Sequence, residues 1–292
     1  MSESTLITTP FTARSTAAEV VAGTDLLGRF AVVTGGASPV GIETARALAA
    51  AGADVTLAVR DTEAGRRAAE DIIDTTGARE VRIAPLDLAD RASVAAFAGA
   101  WQGPLHMLVH NAGVRETPER RTPEGWELQF AVNHLGHFAL ATGLRGALAE
   151  AGGARVVVVA SDAHLRAPLD FDDLHFRTRP YDPVAAYGQS RTADVLFAGE
   201  AYRRWAGDGI TVNTLDAGAS EADRRTPAQA AATSVLLAAS PHVEGVGGRY
   251  FQDCAEAPRH VPGGPPRGVA HHALDPEAAA RLWQVSLGLL AG

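Results

Sequence analysis

The sequence predicts an α/β fold of one domain, in which a doubly wound parallel sheet lies between two layers of helices. Short apolar runs typical of buried strands alternate with longer segments of helical apolar spacing. Strand and helix in turn are typical of a parallel sheet with helices on both faces. The 292 residues, 46% hydrophobic and 21% charged, have the composition of an ordinary globular protein.

The pattern places each element in order along the chain. The predicted strands are 30–33, 54–59, 81–86, 106–110, 155–160 and 209–215. The predicted helices are 41–52, 63–73, 91–101, 125–151, 185–207 and 226–240. Residues 15–20 contain a Ser/Thr-x-x-Glu capping box, which predicts a short leading helix.

Three segments follow from this reading. Residues 1–28 are expected to form an arm with the short helix, and residues 29–255 the α/β domain. Residues 256–292 are expected to form a Pro/Gly/His-rich loop and a final helix packed on the same domain. A second long loop is expected at 167–183.

Composition excludes several classes of function. The formal charge of −8 argues against nucleic acid or an anionic membrane surface as a partner. No apolar run is long enough to span a bilayer and the start lacks the pattern of a signal peptide, so a cytoplasmic protein is expected. The single cysteine, Cys254, excludes an intrachain disulfide. Histidines 260, 271 and 272 lack metal-site spacing, and no metal is expected.

A glycine-rich turn, "VVTGGASPVGIETARAL", follows the first strand and opens a helix. Glycines at such a turn let a pyrophosphate approach the backbone N–H groups and the positive end of the helix. The turn therefore predicts a dinucleotide site, although a tight turn without a ligand would have the same pattern.

Several motifs in order make the sequence similar to the short-chain dehydrogenase/reductase family, in its retinol-dehydrogenase-like branch. Thr34 to Ile42 resembles the family's Thr-Gly-x-x-x-Gly-x-Gly turn, and 110–113, "HNAG", resembles its Asn-Asn-Ala-Gly. Ser161 and Tyr187 occupy the positions of the catalytic serine and tyrosine, and Asn133 that of the helix asparagine. The resemblance runs from about residue 28 to 253 and implies a three-layer Rossmann-type fold.

The resemblance also implies a nicotinamide cofactor. The residues expected to bind it are Gly35, Ser38, Gly41, Ile42, Arg60, Asp87, Leu88, Asn111, Ala112, Gly113 and Arg191. Arg60 ends the second strand, where members that prefer NAD carry an acidic residue. A guanidinium suits a 2′-phosphate, so NADP(H) is favoured and NAD(H) stays possible. The alternative is that Arg60 only pairs with Asp61 or faces solvent.

In the family's chemistry, the tyrosine exchanges a proton with the carbonyl oxygen and the serine hydrogen-bonds the same oxygen. The resemblance assigns Tyr187 as general acid/base, Ser161 to oxygen positioning and Asn133 to water binding and helix geometry. Arg191 stands where the family has a lysine. An arginine can polarise the phenol, but it stays protonated and cannot relay a proton.

Other positions around the same pocket also depart from the family. Pro39 replaces a glycine of the turn, and His110 replaces an asparagine. Asp216 and Ala217 stand where a His-Pro turn is usual, and Asp216 could pair with Arg191. Residues 219–225 form a shorter connection than the usual substrate-covering segment, which predicts an open pocket.

Three functions remain open from the sequence. The first is an NADP(H)-linked reductase or dehydrogenase acting on a bulky, apolar small molecule. The second is non-redox proton transfer on the same scaffold, such as isomerisation, dehydration or cyclisation. The third is a binding protein that has lost catalysis. A homodimer or homotetramer is expected, and the apolar stripe at 192–205 is a candidate contact, although burial against its own sheet would also explain it.

Overall fold

The structure is a computed structural model and describes residues 6–218 and 225–292. It confirms the predicted α/β fold with a parallel-dominated sheet flanked by helices. In the described residues the sheet has the order β3-β2-β1-β4-β5-β6-β7-β8, and each neighbouring pair is parallel except β7 and β8. The strands are β1 Phe30–Thr34, β2 Asp54–Val59, β3 Val81–Pro85, β4 Met107–His110, β5 Arg155–Val159, β6 Thr211–Asp216, β7 Tyr250–Gln252 and β8 Ala255–Glu256.

Most helices differ from the predicted ones at their ends, and the predicted helices 125–151 and 226–240 are each divided into shorter ones. They are α1 Ala17–Val21, α2 Pro39–Ala50, α3 Thr62–Thr76, α4 Arg91–Ala100, α5 Leu128–Phe130, α6 His137–Gly143, α7 Arg145–Glu150, α8 Pro183–Trp205, α9 Pro227–Ala230, α10 Ala232–Ala239 and α11 Pro276–Ala291. The leading helix α1 has the predicted capping box, with Thr16 and Glu19 as its two partners. The prediction missed the short strands β7 and β8.

Successive residues of the central strands face opposite helical layers. Val33 of β1 lies in the core with Leu48 of α2 and Leu236 of α10. Val32 lies in the core on the other face, with Phe138 of α6 and Phe197 of α8. This two-sided burial explains why the strands are continuous apolar runs in the sequence.

The predicted helix at 125–151 is interrupted by a π-helical turn, Ala131–Gly136, between α5 and α6. A π turn fits an additional residue into the helix and is common where a functional side chain is aimed. Gly136 ends the turn against the backbone of Leu88, and a Cβ at Gly136 would lie only 2.3 Å from the Leu88 carbonyl oxygen. Apolar periodicity does not reveal such a break.

The apolar stripe of α8 is covered within the chain, which bears on its proposed role in subunit contact. Leu196 packs in one cluster with Leu282 of α11, and Phe197 and Trp205 pack in another with Trp283. The Trp283 ring also stacks on Phe197 with centroids 6.1 Å apart. Residues 192–205 are therefore occupied by α11 and the sheet, and the oligomeric state stays a prediction.

Buried histidines join α11 and the loops to the helical layer. Nε2 of His134 lies 2.8 Å from the hydroxyl oxygen of Ser286 on α11. Burial, reinforced by His137, lowers the pKa of His134 to about 3. Burial likewise lowers the pKa values of His137 and His164 to about 4. These rings are therefore neutral in the fold at pH 7.

We predict that His134 makes the free energy of unfolding fall as the pH is lowered. The unfolded chain takes up the proton near pH 6.5, whereas the folded chain takes it up only near pH 3. Above pH 6.5 this proton therefore leaves the free energy of unfolding unchanged. Between pH 6.5 and pH 3 it lowers the free energy of unfolding by about 1.4 kcal/mol per pH unit. The free energy of unfolding, measured with urea at several pH values, should depend less steeply on pH in His134→Gln than in the wild type.

Comparing variants is necessary because Asp194 acts in the opposite direction. Burial raises its pKa against the opposing effect of Arg191, so its contribution to stability falls as the pH rises. His271 is exposed, and His271→Gln is the matched control whose slope should equal that of the wild type. Equal slopes for His134→Gln and the wild type would contradict the prediction.

Candidate functional site

The glycine turn connects β1 to α2 through backbone that only small residues permit. Gly35 has a φ of +62°, and a Cβ there would lie 2.9 Å from Cα of Ala112. A Cβ on Gly41 would lie 2.4 Å from the Gly35 carbonyl oxygen. Ser38 is the N-cap of α2, and its side-chain oxygen accepts a hydrogen bond from the Gly41 N–H. The turn therefore brings the start of a twelve-residue helix beside the sheet edge, with the N–H groups of positions 41 and 42 donating to Ser38.

Pro39 does not disturb this turn, because it is the first residue of α2. The N–H that proline lacks has no intrahelical partner at this position, and the fixed φ of proline suits a helix start. Ser38 and Val40, on either side of it, line the adjoining cleft. The replacement of a glycine by Pro39 is thus compatible with the helix that the site requires.

Asn111 and Thr34 hold the "HNAG" segment against the glycine turn. The Asn111 side-chain amide donates to the carbonyl oxygens of Thr34 at 2.9 Å and Gly35 at 3.2 Å, and to Oγ of Ser38 at 3.1 Å. The Thr34 hydroxyl accepts from the backbone N–H groups of Asn111 and Ala112, both at 3.0 Å. The two loops therefore form one polar unit at the carboxyl edge of β1 and β4.

His110 is part of the core and not of the cleft surface. Its ring stacks on His137 with centroids 4.4 Å apart, and its exposed fraction is 1%. Burial lowers the pKa of His110 well below its usual value, and the neighbouring His137 and His134 add to that effect. Neither ring nitrogen has a hydrogen-bond partner among the described residues.

The residues expected near an adenine lie farther along the same edge. Asp87 and Leu88 follow β3, and the Asp87 side chain accepts a hydrogen bond from the N–H of Ala89 at 2.9 Å. Arg60 is exposed directly after β2. Its suggested partner, Asp61, caps α3 by accepting from the N–H groups at positions 63 and 64. The Arg60 side chain is therefore placed at the surface beside the edge of the sheet.

Asn133 lies in the π-helical turn and ties it to the segment after β4. Its side-chain oxygen accepts from the Val114 N–H at 2.8 Å, and its amide donates to the Val114 carbonyl at 2.9 Å and to the Ser190 hydroxyl at 2.9 Å. Its own carbonyl oxygen lies 2.9 Å from Nδ1 of His137. The Asn133 side chain is therefore fully engaged in positioning the loop and α8.

Tyr187, Ser161 and Arg191 converge on one cleft, as the sequence motifs predict. The cleft has a volume of about 260 Å³, and all three residues line it together with Ser38, Val40, Asn111, Gly113, Arg115, Val159, Ala160, Asp162, Asp216 and Ala217. The Ser161 hydroxyl donates to Asp162 at 3.0 Å and accepts from the Ala163 N–H at 3.2 Å. Elsewhere, an apolar cavity of about 480 Å³ lies between β3 and α4, and none of the residues assigned to catalysis lines it.

The Arg191 guanidinium is held inside the protein. Nη1 donates to the carbonyl oxygen of Val159 at 3.0 Å and to Oδ2 of Asp194 at 2.8 Å. The guanidinium carbon lies 5.0 Å from the centre of the Tyr187 ring. A Cβ on Gly113 would lie only 2.3 Å from Nη2 of Arg191, so the glycine makes room for the arginine.

The carboxylate that pairs with Arg191 is that of Asp194. The sequence suggested Asp216, but the ion pair of Arg191 in the structure is with Asp194, one helical turn farther along α8. The Asp216 carboxylate accepts from the Gly218 N–H at 3.0 Å and from the Gln252 amide at 3.2 Å. Sequence reasoning missed Asp194, although a carboxylate three residues after an arginine on one helix was available as a signal.

Arg115 is a second cation beside Tyr187 that the sequence did not reveal. Its guanidinium carbon lies 5.7 Å from the centre of the Tyr187 ring. Buried amide side chains fix the backbone on both sides, since Val114 is held by Asn133 and the Glu116 N–H donates to Gln129 at 2.7 Å. No motif in the sequence indicates this placement, because it depends on contacts between distant segments.

The C-terminal loop contacts the segment after β5 that contains Ser161 through His164. Nδ1 of His164 contacts the Ser161 carbonyl oxygen at 2.6 Å, and Nε2 accepts from the Ala270 N–H at 3.2 Å. His272 contacts the His164 carbonyl oxygen at 2.9 Å. Among the described residues no group of histidine, cysteine and carboxylate side chains is arranged to hold a metal. Within the loop, His260 and His272 contact backbone carbonyl oxygens, whereas His271 is exposed. Of the predicted short connection at 219–225, only Arg225 lies among the described residues.

The fold and the cleft are those of a Rossmann-type α/β protein with a serine and a tyrosine together at one edge of its sheet. The profile of the short chain dehydrogenase family matches residues 29–232, and the chain belongs to that family. In the part of the chain that is described, none of the helices has the length and apolar character needed to cross a bilayer.

Known relatives agree with this assignment. A protein named "Probable oxidoreductase" from Streptomyces antibioticus is 55% identical, over 89% of this chain and 97% of its own length. Retinol dehydrogenase 12 of Mus musculus is 37% identical, over 90% of this chain and 86% of its own length. The crystal structure of an uncharacterised protein from Mycobacterium paratuberculosis has 35% identity and a TM-score of 0.80, covering 95% of this chain and 97% of that one.

We predict that Gly113→Ala displaces Arg191 and destabilises the fold. The new methyl group would meet a guanidinium that is buried and fixed by two hydrogen bonds, so relief requires a shift of the cleft wall. Overpacking of this kind costs about 1–3 kcal/mol. Urea unfolding at pH 7 measures the loss. Gly99 of α4 has no atom within 4 Å of a built Cβ, so Gly99→Ala should be neutral or stabilising. Equal stability of Gly113→Ala and the wild type would refute the prediction.

Proposed function

We propose that this chain is an NADP(H)-linked oxidoreductase that reduces the carbonyl group, or oxidises the alcohol group, of a bulky and largely apolar small molecule. The observation that carries the proposal is the convergence of Tyr187, Ser161 and a cation in one cleft beside the glycine turn. Relatives named retinol dehydrogenase and polyprenol dehydrogenase support an apolar alcohol or its carbonyl form as the class of substrate.

The cleft residues have separate roles in this reaction. In the direction of reduction, the Tyr187 hydroxyl donates its proton to the carbonyl oxygen as that oxygen becomes an alcohol. The Ser161 hydroxyl turns from Asp162 to hydrogen-bond the same oxygen and so polarises the carbonyl. A bound nicotinamide supplies the hydride that the carbonyl carbon accepts. Arg191 favours the ionised phenol by its charge but does not hand on a proton.

The residues at the sheet edge fit the dinucleotide. Gly35, Ser38, Gly41 and Ile42 form the turn where a pyrophosphate would lie, at the positive end of α2, and a Cβ at Gly41 would fill that turn. The other expected contacts are with Asp87, Leu88, Asn111, Ala112, Gly113 and Arg191. Arg60 is exposed beside them and would hold a 2′-phosphate, which is why NADP(H) is favoured over NAD(H).

One observation favours a second candidate, non-redox proton transfer. Nη1 of Arg191 is committed to Val159 and Asp194, and Nη2 is packed against Gly113. The cation is therefore fixed by the protein itself and polarises the phenol without requiring a ribose. Isomerisation, dehydration or cyclisation would need only Tyr187, Ser161 and this cation.

The first prediction of the proposal concerns the cofactor. Titration with NADPH, followed by cofactor fluorescence, should show saturable binding, and Arg60→Gln should weaken NADPH about tenfold while leaving NADH unchanged. Arg79→Gln, at an exposed arginine after α3, is the matched control and should bind both like the wild type. No binding at millimolar NADPH would end the oxidoreductase proposal.

The second prediction concerns the acid/base residue. Tyr187→Phe should lower the rate of NADPH oxidation with all-trans-retinal or decanal by about 10²–10⁴-fold, because the proton donor is lost. Cofactor affinity should be retained. Tyr202→Phe, on the same helix and outside the cleft, controls for the loss of a hydroxyl. Full activity of Tyr187→Phe would remove the assigned role, whereas activity that depends on Tyr187 but not on NADPH would favour proton transfer.

A further inference from the structure

The Arg191–Asp194 ion pair is almost completely buried directly behind Tyr187. The side chains are 8% and 3% exposed, and Nη1 and Oδ2 are 2.8 Å apart. Water therefore screens the pair weakly, and each charge acts strongly on its neighbours. Tyr187, the proposed proton donor, is one such neighbour, and its ring centre lies 5.0 Å from the guanidinium carbon.

The pair also fixes where the guanidinium lies. Arginine is a long side chain with considerable rotamer freedom. Here Asp194 and the Val159 carbonyl hold Nη1 from two sides, while the backbone of Gly113 bounds Nη2. Without Asp194, a single hydrogen bond would remain at Nη1 to define the position of the cation.

We propose that Asp194 is a positioning residue that fixes the Arg191 guanidinium beside Tyr187 and offsets its charge there. This inference rests on the proposed role of Tyr187 as the proton donor, but not on the identity of the cofactor or substrate. Asp194 touches none of the reacting groups, because it does not line the cleft and acts only through Arg191.

Other charged and titratable groups face Tyr187 from the surrounding elements. Arg115 lies over the ring from the loop after β4. Asp162 and Asp216 line the same cleft at the ends of β5 and β6. Tyr250 of β7 interacts electrostatically with Tyr187. All of them are unchanged when Asp194 is replaced. A difference between the wild type and an Asp194 variant therefore reports the carboxylate and the guanidinium that it holds.

The consequence concerns the pH at which the Tyr187 phenol ionises. Asp194→Asn leaves an uncompensated cation beside the ring, and that cation favours the phenolate. A unit charge 5.0 Å from the ring centre, in a protein interior, moves the midpoint of the Tyr187 titration by about one pH unit or more. The ionisation should therefore occur at lower pH in Asp194→Asn than in the wild type.

The test is a spectrophotometric titration that requires neither cofactor nor turnover. Tyrosinate absorbance is followed against pH in the wild type and in Asp194→Asn, and the same titrations with Tyr187→Phe added are subtracted to isolate Tyr187. A midpoint lowered by about one unit supports the proposal. Superimposable titrations of correctly folded proteins would overturn it. Failure to bind NADPH would contradict the proposed function and leave this titration unaffected.

A second comparison guards against misfolding of the single variant, since an unpaired buried charge is strongly destabilising. The double variant Arg191→Gln/Asp194→Asn removes both charges together. If Asp194 offsets part of the Arg191 charge, this variant should titrate closer to the wild type than Asp194→Asn does, because no net charge is lost. A large upward shift would show that Arg191 acts without compensation and would overturn the proposal.

Discussion

The hydroxyl of Thr34 joins the two loops on which the cleft depends. The hydroxyl oxygen accepts hydrogen bonds from the backbone N–H groups of Asn111 and Ala112. It also lies 2.9 Å from Nε2 of His137. The other ring nitrogen, Nδ1, faces the carbonyl oxygen of Asn133, which can only accept a hydrogen bond. Nδ1 therefore carries the proton, and burial, which lowers the pKa of His137 to about 4, keeps Nε2 unprotonated. It follows that the Thr34 hydroxyl donates to His137.

This arrangement sets the chemistry that Asn133 can perform. Its side-chain amide forms hydrogen bonds with Val114 and Ser190. Its backbone carbonyl oxygen accepts a hydrogen bond from His137. Ser190 in turn donates to the carbonyl oxygen of Tyr187 at 2.7 Å, so the asparagine fixes the start of α8 relative to the loop after β4. Asn133 thus acts on Tyr187 through position rather than through charge.

Much of the fold was accessible from the sequence because the cues are local. Buried parallel strands are continuous apolar runs, and capping residues such as Thr16 fix helix starts. The position of Ser161 and Tyr187 at one sheet edge followed from motif order, since the loops after parallel strands meet at the carboxyl edge. The strands and helices required only periodicity, whereas the assignment of Ser161 and Tyr187 came from the resemblance to the family.

The rest could not be predicted, because it depends on contacts between distant segments. The π turn before α6 is decided by how Gly136 packs on Leu88 and not by apolar spacing. The contact of Ala270 with His164 joins positions that are far apart in the chain. The choice of Asp194 over Asp216 depends on the direction of one arginine side chain. The placement of Arg115 depends on two buried amides.

The unusual residues of the cleft are accommodated in part by their neighbours, although Nε of Arg191 and both ring nitrogens of His110 are buried without a hydrogen-bond partner among the described residues. Arg191 has space because position 113 is glycine, and its charge has a buried partner in Asp194. Pro39 stands at the helix position that needs no N–H. His110 is stacked within the aromatic core on His137.

Loss of function without replacement would leave charges unpaired and side chains poorly packed around the old pocket. Burying an unpaired guanidinium would cost several kcal/mol, and such a chain would gain stability by replacing it. The pairing of Arg191 with Asp194 and the hydrogen bonds of Asn111 to the glycine turn therefore give the charged and polar groups beside the cleft partners within the fold.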